Sequence, residues 1–273
     1  MSRINTCFDR LSKNNKKALI PYLAAGDPKL ETTLGLMHAL VAAGADIIEL
    51  GFPFSDPASD GPVIQQAVER ALASGTSLAD VLTLVSRFRE QDQETPLVLM
   101  GYLNPIECMG YRNFAERAAA AGVDGVLVVD MPPEEASELL REICQAGLDC
   151  IFLVAPGTSE ARAREISQLS SGYVYYVSLK GVTGASHLDT DSVRAKVSEL
   201  RKYCSLPIGI GFGIKNAEMA ATLGAFADGI VVGSALVNLI AELDADKSYT
   251  QQELLEHITL IADMRQALDS LNG

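Results

Sequence analysis

The amino-acid sequence predicts an α/β protein, a (β/α)8 or TIM barrel formed by residues 1–273 as a single domain. Short, almost continuously apolar runs alternate with amphipathic stretches, and no linker or change of composition interrupts them. Such runs are typical of parallel strands that are buried on both faces. An open, doubly wound sheet is the alternative architecture. Eight runs are present, at residues 18–26, 45–51, 96–102, 123–130, 148–156, 172–179, 206–213 and 227–234.

Helices are predicted between the runs, because apolar residues recur there with the three- and four-residue spacing of one helix face. Many of these stretches end in glycine, a common helix-stop signal, and three runs begin Gly-x-Asp at Asp46, Asp124 and Asp149. We expect residues 3–16 to form an extra N-terminal helix against the barrel floor. Residues 252–271 are expected to form one last helix that closes the ring.

Composition narrows the possible functions. Of 273 residues, 48% are hydrophobic, so the chain can bury a large core without disulfide bonds. The formal charge of −13 disfavours nucleic acids and anionic membranes as partners. The five cysteines form no CxxC pair, which favours a reducing, cytoplasmic compartment. The three histidines are far apart, so a histidine-rich metal site is not expected, although carboxylates alone could hold magnesium. No apolar stretch reaches the ~20 residues of a membrane helix.

Glu49 lies near the C-terminal end of the second run, ADIIELG. Because side chains alternate along a strand, Ile47 and Glu49 face the barrel interior if Ile48 and Leu50 face the helices. Barrels of this class carry their chemistry at the C-terminal ends of the strands. Burial at that position would raise the pKa of a carboxyl group into a range useful for acid–base catalysis. A purely structural carboxylate is the alternative.

The loop after Glu49 is GFPFSDPASDGP, at residues 51–62, with three prolines and the carboxylates Asp56 and Asp60. Proline restricts φ and reduces the entropy that is lost when a loop becomes ordered. A stiff loop would hold Asp60 over the barrel mouth in a reproducible position. Ordinary turn chemistry is the alternative explanation of this composition.

Glycines follow the seventh and eighth runs, in IGIGFGI and VVGSAL. Glycine lets backbone N–H groups approach an anion closely, and the loops after strands seven and eight are the usual phosphate site of these barrels. We therefore expect Gly213, Gly233 and Ser234 to bind a phosphate. The long polar loop at residues 179–191, after the sixth run, is expected to be a lid that orders over a ligand.

Several motifs together resemble the tryptophan synthase alpha subunit family. The most specific is IELGFPFSDPASDGPVIQ at residues 48–65, which contains Glu49 and Asp60. The others follow in the family's order along the chain. They are PYLAAGDP at 21–28, GYLNP at 101–105, DMPPEE at 130–135, SLKGVTGA at 178–185, GFGI at 211–214 and GSALV at 233–237.

The resemblance implies an activity and two catalytic roles. The family cleaves indole-3-glycerol phosphate to indole and glyceraldehyde 3-phosphate, a retro-aldol step of tryptophan biosynthesis. Glu49 would be the acid and base that moves protons at the indole ring carbon and the glycerol hydroxyl. Asp60 would face the indole N–H and stabilise the charge that develops there. The protonated indole ring accepts the electrons of the broken bond, so this chain would need no metal, Schiff base or cofactor.

The resemblance also implies binding residues and a partner. The family works as an α2β2 complex in which the beta subunit receives indole through a tunnel and uses pyridoxal phosphate. Rim loops around Pro53, Asp56, Asn104 and Pro132 would meet that subunit, as their exposed, proline-rich character suits docking. The phosphate cradle would be Gly184, Gly213, Gly233 and Ser234. The indole and glycerol pocket would be lined by Tyr22, Met100, Tyr102, Leu127, Leu153, Tyr175, Thr183 and Phe212, with Thr183 meeting Asp60 when the lid closes.

Three other functions stay open. Lys180, after the sixth run, would be the nucleophile of a Schiff-base aldolase, although its neighbours suggest exposure and an ordinary lysine. A standalone lyase that releases free indole would need no beta partner. A catalytically weak subunit that only binds and activates beta is the third, and the presence of both Glu49 and Asp60 disfavours it.

Overall fold

The structure is a computed structural model, and it describes residues 2–178, 190–211 and 213–272. Within these residues all the strands are parallel and form one sheet. They are β1 Ala18–Ala24, β2 Ile48–Gly51, β3 Leu97–Gly101, β4 Gly125–Val128, β5 Asp149–Ile151, β6 Leu153–Val154, β7 Val174–Val177, β8 Ile208–Gly211 and β9 Gly229–Val232. Their order in the sheet is β5-β4-β3-β2-β1-β9-β8-β7-β6.

The two ends of the sheet meet within one continuous segment, so the predicted barrel is confirmed. β5 pairs with β4, and β6 pairs with β7, and only Phe152 separates β5 from β6. The backbone oxygen of Phe152 accepts a hydrogen bond from Tyr175 N at 3.1 Å. The predicted fifth strand is therefore divided in two, because it changes its pairing from one neighbour to the other at this residue.

Helices follow the strands and form the outer layer. The described α-helices are α1 Arg3–Lys13, α2 Leu30–Ala42, α3 Pro62–Ala73, α4 Leu78–Arg89, α5 Leu103–Met109, α6 Tyr111–Ala121, α7 Ser137–Gln145, α8 Glu160–Leu169, α9 Thr190–Leu200, α10 Ala217–Gly224, α11 Ser234–Ile240, α12 Gln251–His257 and α13 Thr259–Asp269. Short 3₁₀ helices occupy Pro133–Glu135 and Ser270–Asn272. Among the residues described, every helix is too short or too polar to span a bilayer.

Helix α1 closes the floor of the barrel, as predicted. Its N-cap is Ser2, whose hydroxyl accepts a hydrogen bond from Asn5 N at 3.2 Å. Its buried face includes Ile4 and Phe8, which pack with the inward-facing side chains of the strands. The Phe8 ring lies 5.8 Å from the ring of Tyr173, centroid to centroid. The interior of the barrel is therefore a packed core that begins at α1.

The prediction of one last helix at residues 252–271 is wrong. Helix α12 ends at His257, and α13 begins at Thr259. Between them Ile258 is fully buried and has φ −105° and ψ 30°, outside the helical range. Helix α12 packs against α2, whereas α13 packs against α10 and β1. The segment bends because its two halves bury their apolar faces on different neighbours.

The predicted alternation of β2 is confirmed. Ile48 and Leu50 pack in the layer between the sheet and the helices. Ile47 packs with the side chains that fill the barrel. Glu49 is fully buried on the same inward face, two residues before the strand ends at Gly51. Strand geometry therefore fixes the direction of this carboxyl group.

At the opposite end of the barrel, aspartates fix the starts of the strands. Asp46, Asp124 and Asp228 each accept a hydrogen bond, at 2.8 to 3.0 Å, from a backbone N–H near the start of the preceding strand in the sequence. Each also pairs with an arginine at 2.8 to 2.9 Å, namely Arg265, Arg89 and Arg201 respectively. Asp149 shares the Gly-x-Asp pattern of Asp46 and Asp124, but its Oδ2 has no hydrogen-bond partner among the described residues.

Candidate active site

A cavity of about 280 Å³ opens at the C-terminal ends of the strands, where barrels of this class carry their chemistry. Both predicted catalytic carboxyl groups, Glu49 and Asp60, line it. Most of the remaining wall is apolar, which suits a flat aromatic ligand. The described lining residues are Tyr22, Glu49, Ser59, Asp60, Gly61, Ile64, Met100, Val129, Leu153, Tyr175, Val177, Gly213, Ile214, Lys215, Val231, Gly233, Ser234 and Ala235.

Glu49 is a buried carboxyl group with one oxygen bound and one available. The hydroxyl of Tyr173 donates a hydrogen bond of 2.5 Å to Glu49 Oε1. In the part of the chain that the structure describes, Glu49 Oε2 has no partner. Burial raises the pKa of Glu49 to about 8, and the Tyr173 hydrogen bond partly opposes the rise. The group is therefore largely protonated at neutral pH and can act as a proton donor.

Asp60 is half-buried and is held by the loop that carries it. The hydroxyl of Tyr102 donates to Asp60 Oδ2 at 3.0 Å and accepts from Ser59 N at 3.0 Å. Gln65 Nε2 donates to the backbone oxygen of Asp60 at 2.9 Å. Burial raises the pKa of Asp60, and the hydrogen bond from Tyr102 acts against that rise. These bonds, together with the prolines, fix Asp60 beside the cavity.

Two glycines at strand ends make room for two tyrosines of the cavity wall. A methyl group on Gly51 would overlap the hydroxyl of Tyr22, and one on Gly211 would overlap the hydroxyl of Tyr175. Both phenols are buried, and burial is the main reason why the pKa of each is raised. They therefore present neutral hydroxyl groups to a ligand. In the sequence, glycine at these positions indicates only a turn, so its role in making room for a tyrosine was not predicted.

The predicted pocket residues other than Leu127 fall into three groups. Tyr22, Met100, Leu153 and Tyr175 line the cavity. Tyr102 lines a much smaller cleft beside it and contacts Asp60 from there. The third group, Thr183 and Phe212, lies outside the described residues, as do Gly184 of the predicted phosphate cradle, Lys180 and most of the predicted lid.

Leu127 is not among the residues that line the cavity. It is fully buried in the barrel interior, in the same cluster as the apolar residues of α1. Val129, two residues later, lines the cavity instead. The alternation of side chains gives the correct face of the strand, but it does not give the depth at which the packed core ends.

Sequence reasoning missed several lining residues. Val129 and Val177 each lie two residues beyond a predicted inward position, so alternation could have found them. Ile64 lies in the first turn of α3, inside the motif around Asp60, but nothing in its residue type marks it as a binding residue. Lys215 and Val231 also line the cavity, beside the predicted phosphate glycines.

The predicted phosphate residues Gly213, Gly233 and Ser234 lie together at the cavity. Gly213 has φ +82°, a left-handed conformation that glycine adopts readily. A Cβ on Gly233 would meet no atom within 4 Å, so the backbone there faces open space. Helix α11 begins at Ser234. Such exposed backbone N–H groups at a glycine-rich turn can bind an anion.

The predicted docking residues differ in exposure. Asp56 and Asn104 are exposed, and Pro132 is partly exposed. Pro53 is buried, so the expected exposed character is wrong at that position. Phe52 before it is also buried, and the exposed part of the loop begins at Ser55.

A metal site is not evident in the described ranges, where no three His, Cys, Asp or Glu side chains come together. The arrangement is that of a barrel enzyme: an apolar cavity at the strand ends that holds two carboxyl groups with raised pKa values.

Comparisons with known proteins agree with this class. The family model described as tryptophan synthase alpha chain matches residues 8–268. The tryptophan synthase alpha chain of Methylococcus capsulatus is 57% identical over 270 residues, which cover 99% of this chain and 100% of that protein. That of Neisseria gonorrhoeae is 60% identical over 240 residues, 88% of this chain and 91% of that protein.

Solved structures are similar along almost the whole chain. Tryptophan synthase subunit alpha from Legionella pneumophila has a TM-score of 0.89 and 47% identity, with 99% of both chains covered. A chain of the Pyrococcus furiosus tryptophan synthase complex has a TM-score of 0.80 and 37% identity, with 91% of this chain and 98% of that chain covered. The chain belongs to the tryptophan synthase alpha chain family.

Membership defines the reaction. The family cleaves indole-3-glycerol phosphate to indole and glyceraldehyde 3-phosphate, and indole passes to a beta subunit. The chain is accordingly a carbon–carbon lyase of tryptophan biosynthesis, with a beta subunit as its partner.

Proposed function

We propose that Glu49 and Asp60 perform the retro-aldol cleavage of indole-3-glycerol phosphate in this cavity. The observation that carries the proposal is that two carboxyl groups, one fully buried with a pKa of about 8, lie on one largely apolar cavity. Two carboxyl groups are sufficient because the reaction needs only proton transfers and a substrate that can accept an electron pair.

The protonation state of Glu49 determines its first role. The neutral carboxyl group donates its proton to the indole ring carbon that bears the glycerol chain, which gives an indolenine cation. The resulting carboxylate then removes the proton of the adjacent glycerol hydroxyl. The carbon–carbon bond breaks, its electron pair restores the indole ring, and the hydroxyl carbon becomes the aldehyde of glyceraldehyde 3-phosphate. Glu49 ends the cycle protonated.

Asp60 stabilises the cation from the other side of the ring. Its carboxylate accepts a hydrogen bond from the indole N–H, where positive charge develops. The hydrogen bond from Tyr102 favours the carboxylate form and holds it in place. Such a fixed negative charge stabilises the transition state without reorganisation.

The remaining site residues bind the two ends of the substrate. Tyr22, Met100, Leu153 and Tyr175 would contact the indole and glycerol parts, and Val129 takes the place that was expected for Leu127. Gly213, Gly233 and Ser234 would hold the phosphate through backbone N–H groups. We propose the further family roles of Thr183, Gly184 and Phe212 on the resemblance alone.

The proposed assembly is an α2β2 heterotetramer in the cytoplasm. Pyridoxal phosphate would belong to the beta partner, and this chain would need no cofactor. The exposed residues Asp56 and Asn104, with the half-exposed Pro132, would contribute to the docking surface. All five thiols are free, as a reducing compartment would keep them.

The test is indole release from indole-3-glycerol phosphate by the purified chain, with and without a beta subunit. We expect slow release alone, much faster release with beta, and a loss of at least about 100-fold in Glu49→Gln. Fast turnover that beta does not accelerate would indicate a standalone lyase. No turnover under either condition, with beta still activated, would indicate a binding subunit. Covalent trapping by borohydride would restore the Schiff-base alternative.

A further inference from the structure

The cavity has one positively charged side chain among its described lining residues, that of Lys215. It lies between β8 and α10, two residues after Gly213. Gly233 and Ser234 line the same cavity. Lys215 therefore stands at the end of the cavity where the phosphate is proposed to bind. The carboxyl groups among the described lining residues are those of Glu49 and Asp60.

The ammonium group of Lys215 has no partner in the described part of the chain, where neither a hydrogen bond nor an ion pair engages it. Other lysines are used within the fold: Lys196 pairs with Glu199 at 3.2 Å, and Lys247 pairs with Glu253 at 2.9 Å. Lys215 is exposed, so its flexible four-carbon stem is able to turn towards a ligand. Its charge is thus available for binding.

A phosphate site built only from backbone N–H groups lacks a positively charged group. A phosphate ester carries a charge of about −1.5 to −2 at neutral pH. It must enter a protein of formal charge −13, and its cavity already contains two carboxyl groups. Backbone N–H groups offer partial charges but no net positive charge. Lysine binds phosphate as a compact point charge, which offsets the repulsion.

We propose that Lys215 pairs with the phosphate of the substrate and sets the preference for phosphorylated over unphosphorylated indole-3-glycerol. This inference rests on the proposed function. Because the phosphate does not change during the reaction, the pair contributes equally to the ground state and the transition state. Its loss therefore raises KM and leaves kcat nearly unchanged.

The experiment compares Lys215→Met and Lys215→Arg with Lys202→Met, which removes the same charge from an exposed position outside the cavity. The alpha–beta complex is assayed at about 20 mM and about 500 mM salt, because salt screens such a pair. At low salt, K215M should raise KM for indole-3-glycerol phosphate about 5- to 20-fold, with kcat within about twofold. The increase should shrink at high salt, K215R should retain most of the affinity, and K202M should behave as wild type.

A second substrate and an inhibitor complete the test. Unphosphorylated indole-3-glycerol should be used equally well by K215M and wild type, and inhibition by inorganic phosphate should weaken by the same factor as KM. An unchanged KM in K215M, or an equal loss with both substrates, overturns the role of Lys215 while wild-type turnover keeps the proposed function. Absence of indole release by the wild-type complex overturns both.

Discussion

At the scale of single residues, Glu49 combines burial with one hydrogen bond, and both control its pKa. Burial raises the pKa to about 8, and the hydroxyl of Tyr173 lowers it by favouring the charged form. The same tyrosine occupies Oε1 and leaves Oε2 without a partner among the described residues. Tyr173 is not among the described lining residues of the cavity, so in the proposed mechanism it would act through Glu49, as a positioning residue.

The dependence of kcat/KM on pH should depend on the hydrogen bond between Tyr173 and Glu49. In the proposed mechanism Glu49 is protonated when the reaction starts, so kcat/KM should fall as pH rises through about 8. Tyr173→Phe removes the bond that lowers the pKa, so the fall should move to higher pH, and kcat should decrease because the carboxyl group loses its anchor. The measurement is kcat/KM for indole-3-glycerol phosphate between about pH 6 and pH 10.

Tyr176→Phe is the matched control. Tyr176 is also buried, three residues after Tyr173 and within β7, but it packs in the outer, helix-facing layer. It should leave the pH profile of the wild type unchanged. If Tyr173→Phe also leaves the alkaline limb in place, then Glu49 is not the group that this limb reports.

At the scale of elements, sequence patterns predicted the strands better than they predicted which elements and side chains pack against one another. Alternation placed Glu49 on the inward face of β2, because a strand has only two faces. It could not place Tyr173, which is 124 positions further along the chain. Nor could it give the division at Phe152 or the bend at Ile258, because both follow from which elements pack together. Leu127 was misplaced in depth, because the height of the packed core depends on all strands at once.

Asp124 and Asp149 stand at the starts of two neighbouring strands, and they differ in their partners. Asp124 accepts from Leu97 N and pairs with Arg89, and both side chains are almost completely buried. Asp149 occupies the corresponding place on the next strand, but its Oδ2 has no described partner. Asp124→Asn should therefore lower the free energy of unfolding by about 2–4 kcal/mol, because the buried guanidinium of Arg89 loses its closest counter-charge, at 2.8 Å, and keeps only Asp92 at 3.7 Å.

Asp149→Asn should change the free energy of unfolding by less than about 1 kcal/mol, because no described hydrogen bond or ion pair of its Oδ2 is lost. Urea denaturation of the two variants measures the difference. Equal destabilisation would mean that the shared Gly-x-Asp position, and not the arginine pair, supplies the stability.

At the scale of the whole molecule, the side chains inside the barrel pack continuously from α1 at the floor to the cavity at the C-terminal ends of the strands. The ring of Phe8 in α1 packs at a tilt against Tyr173, and the hydroxyl of Tyr173 donates a hydrogen bond to Glu49, which lines the cavity. The N-terminal helix is therefore connected to Glu49, the proposed acid and base, by two side-chain contacts. That residues 1–273 behave as a single domain stays a prediction, which this continuity supports.

Two variants can distinguish the effect of the Phe8–Tyr173 contact on Glu49 from a general loss of stability. Phe8→Ala should destabilise the fold by about 3–5 kcal/mol, as expected for a large buried ring, and the cavity it leaves lies against Tyr173. Phe88→Ala should destabilise by a similar amount, but Phe88 is buried in the outer layer of the barrel. If the contacts from Phe8 through Tyr173 orient Glu49, kcat per folded molecule should fall only in Phe8→Ala. Only in that variant does Tyr173 lose the ring that packs against it. Equal kcat values in the two variants, measured well below their melting temperatures, would show that Tyr173 is held by the strand alone.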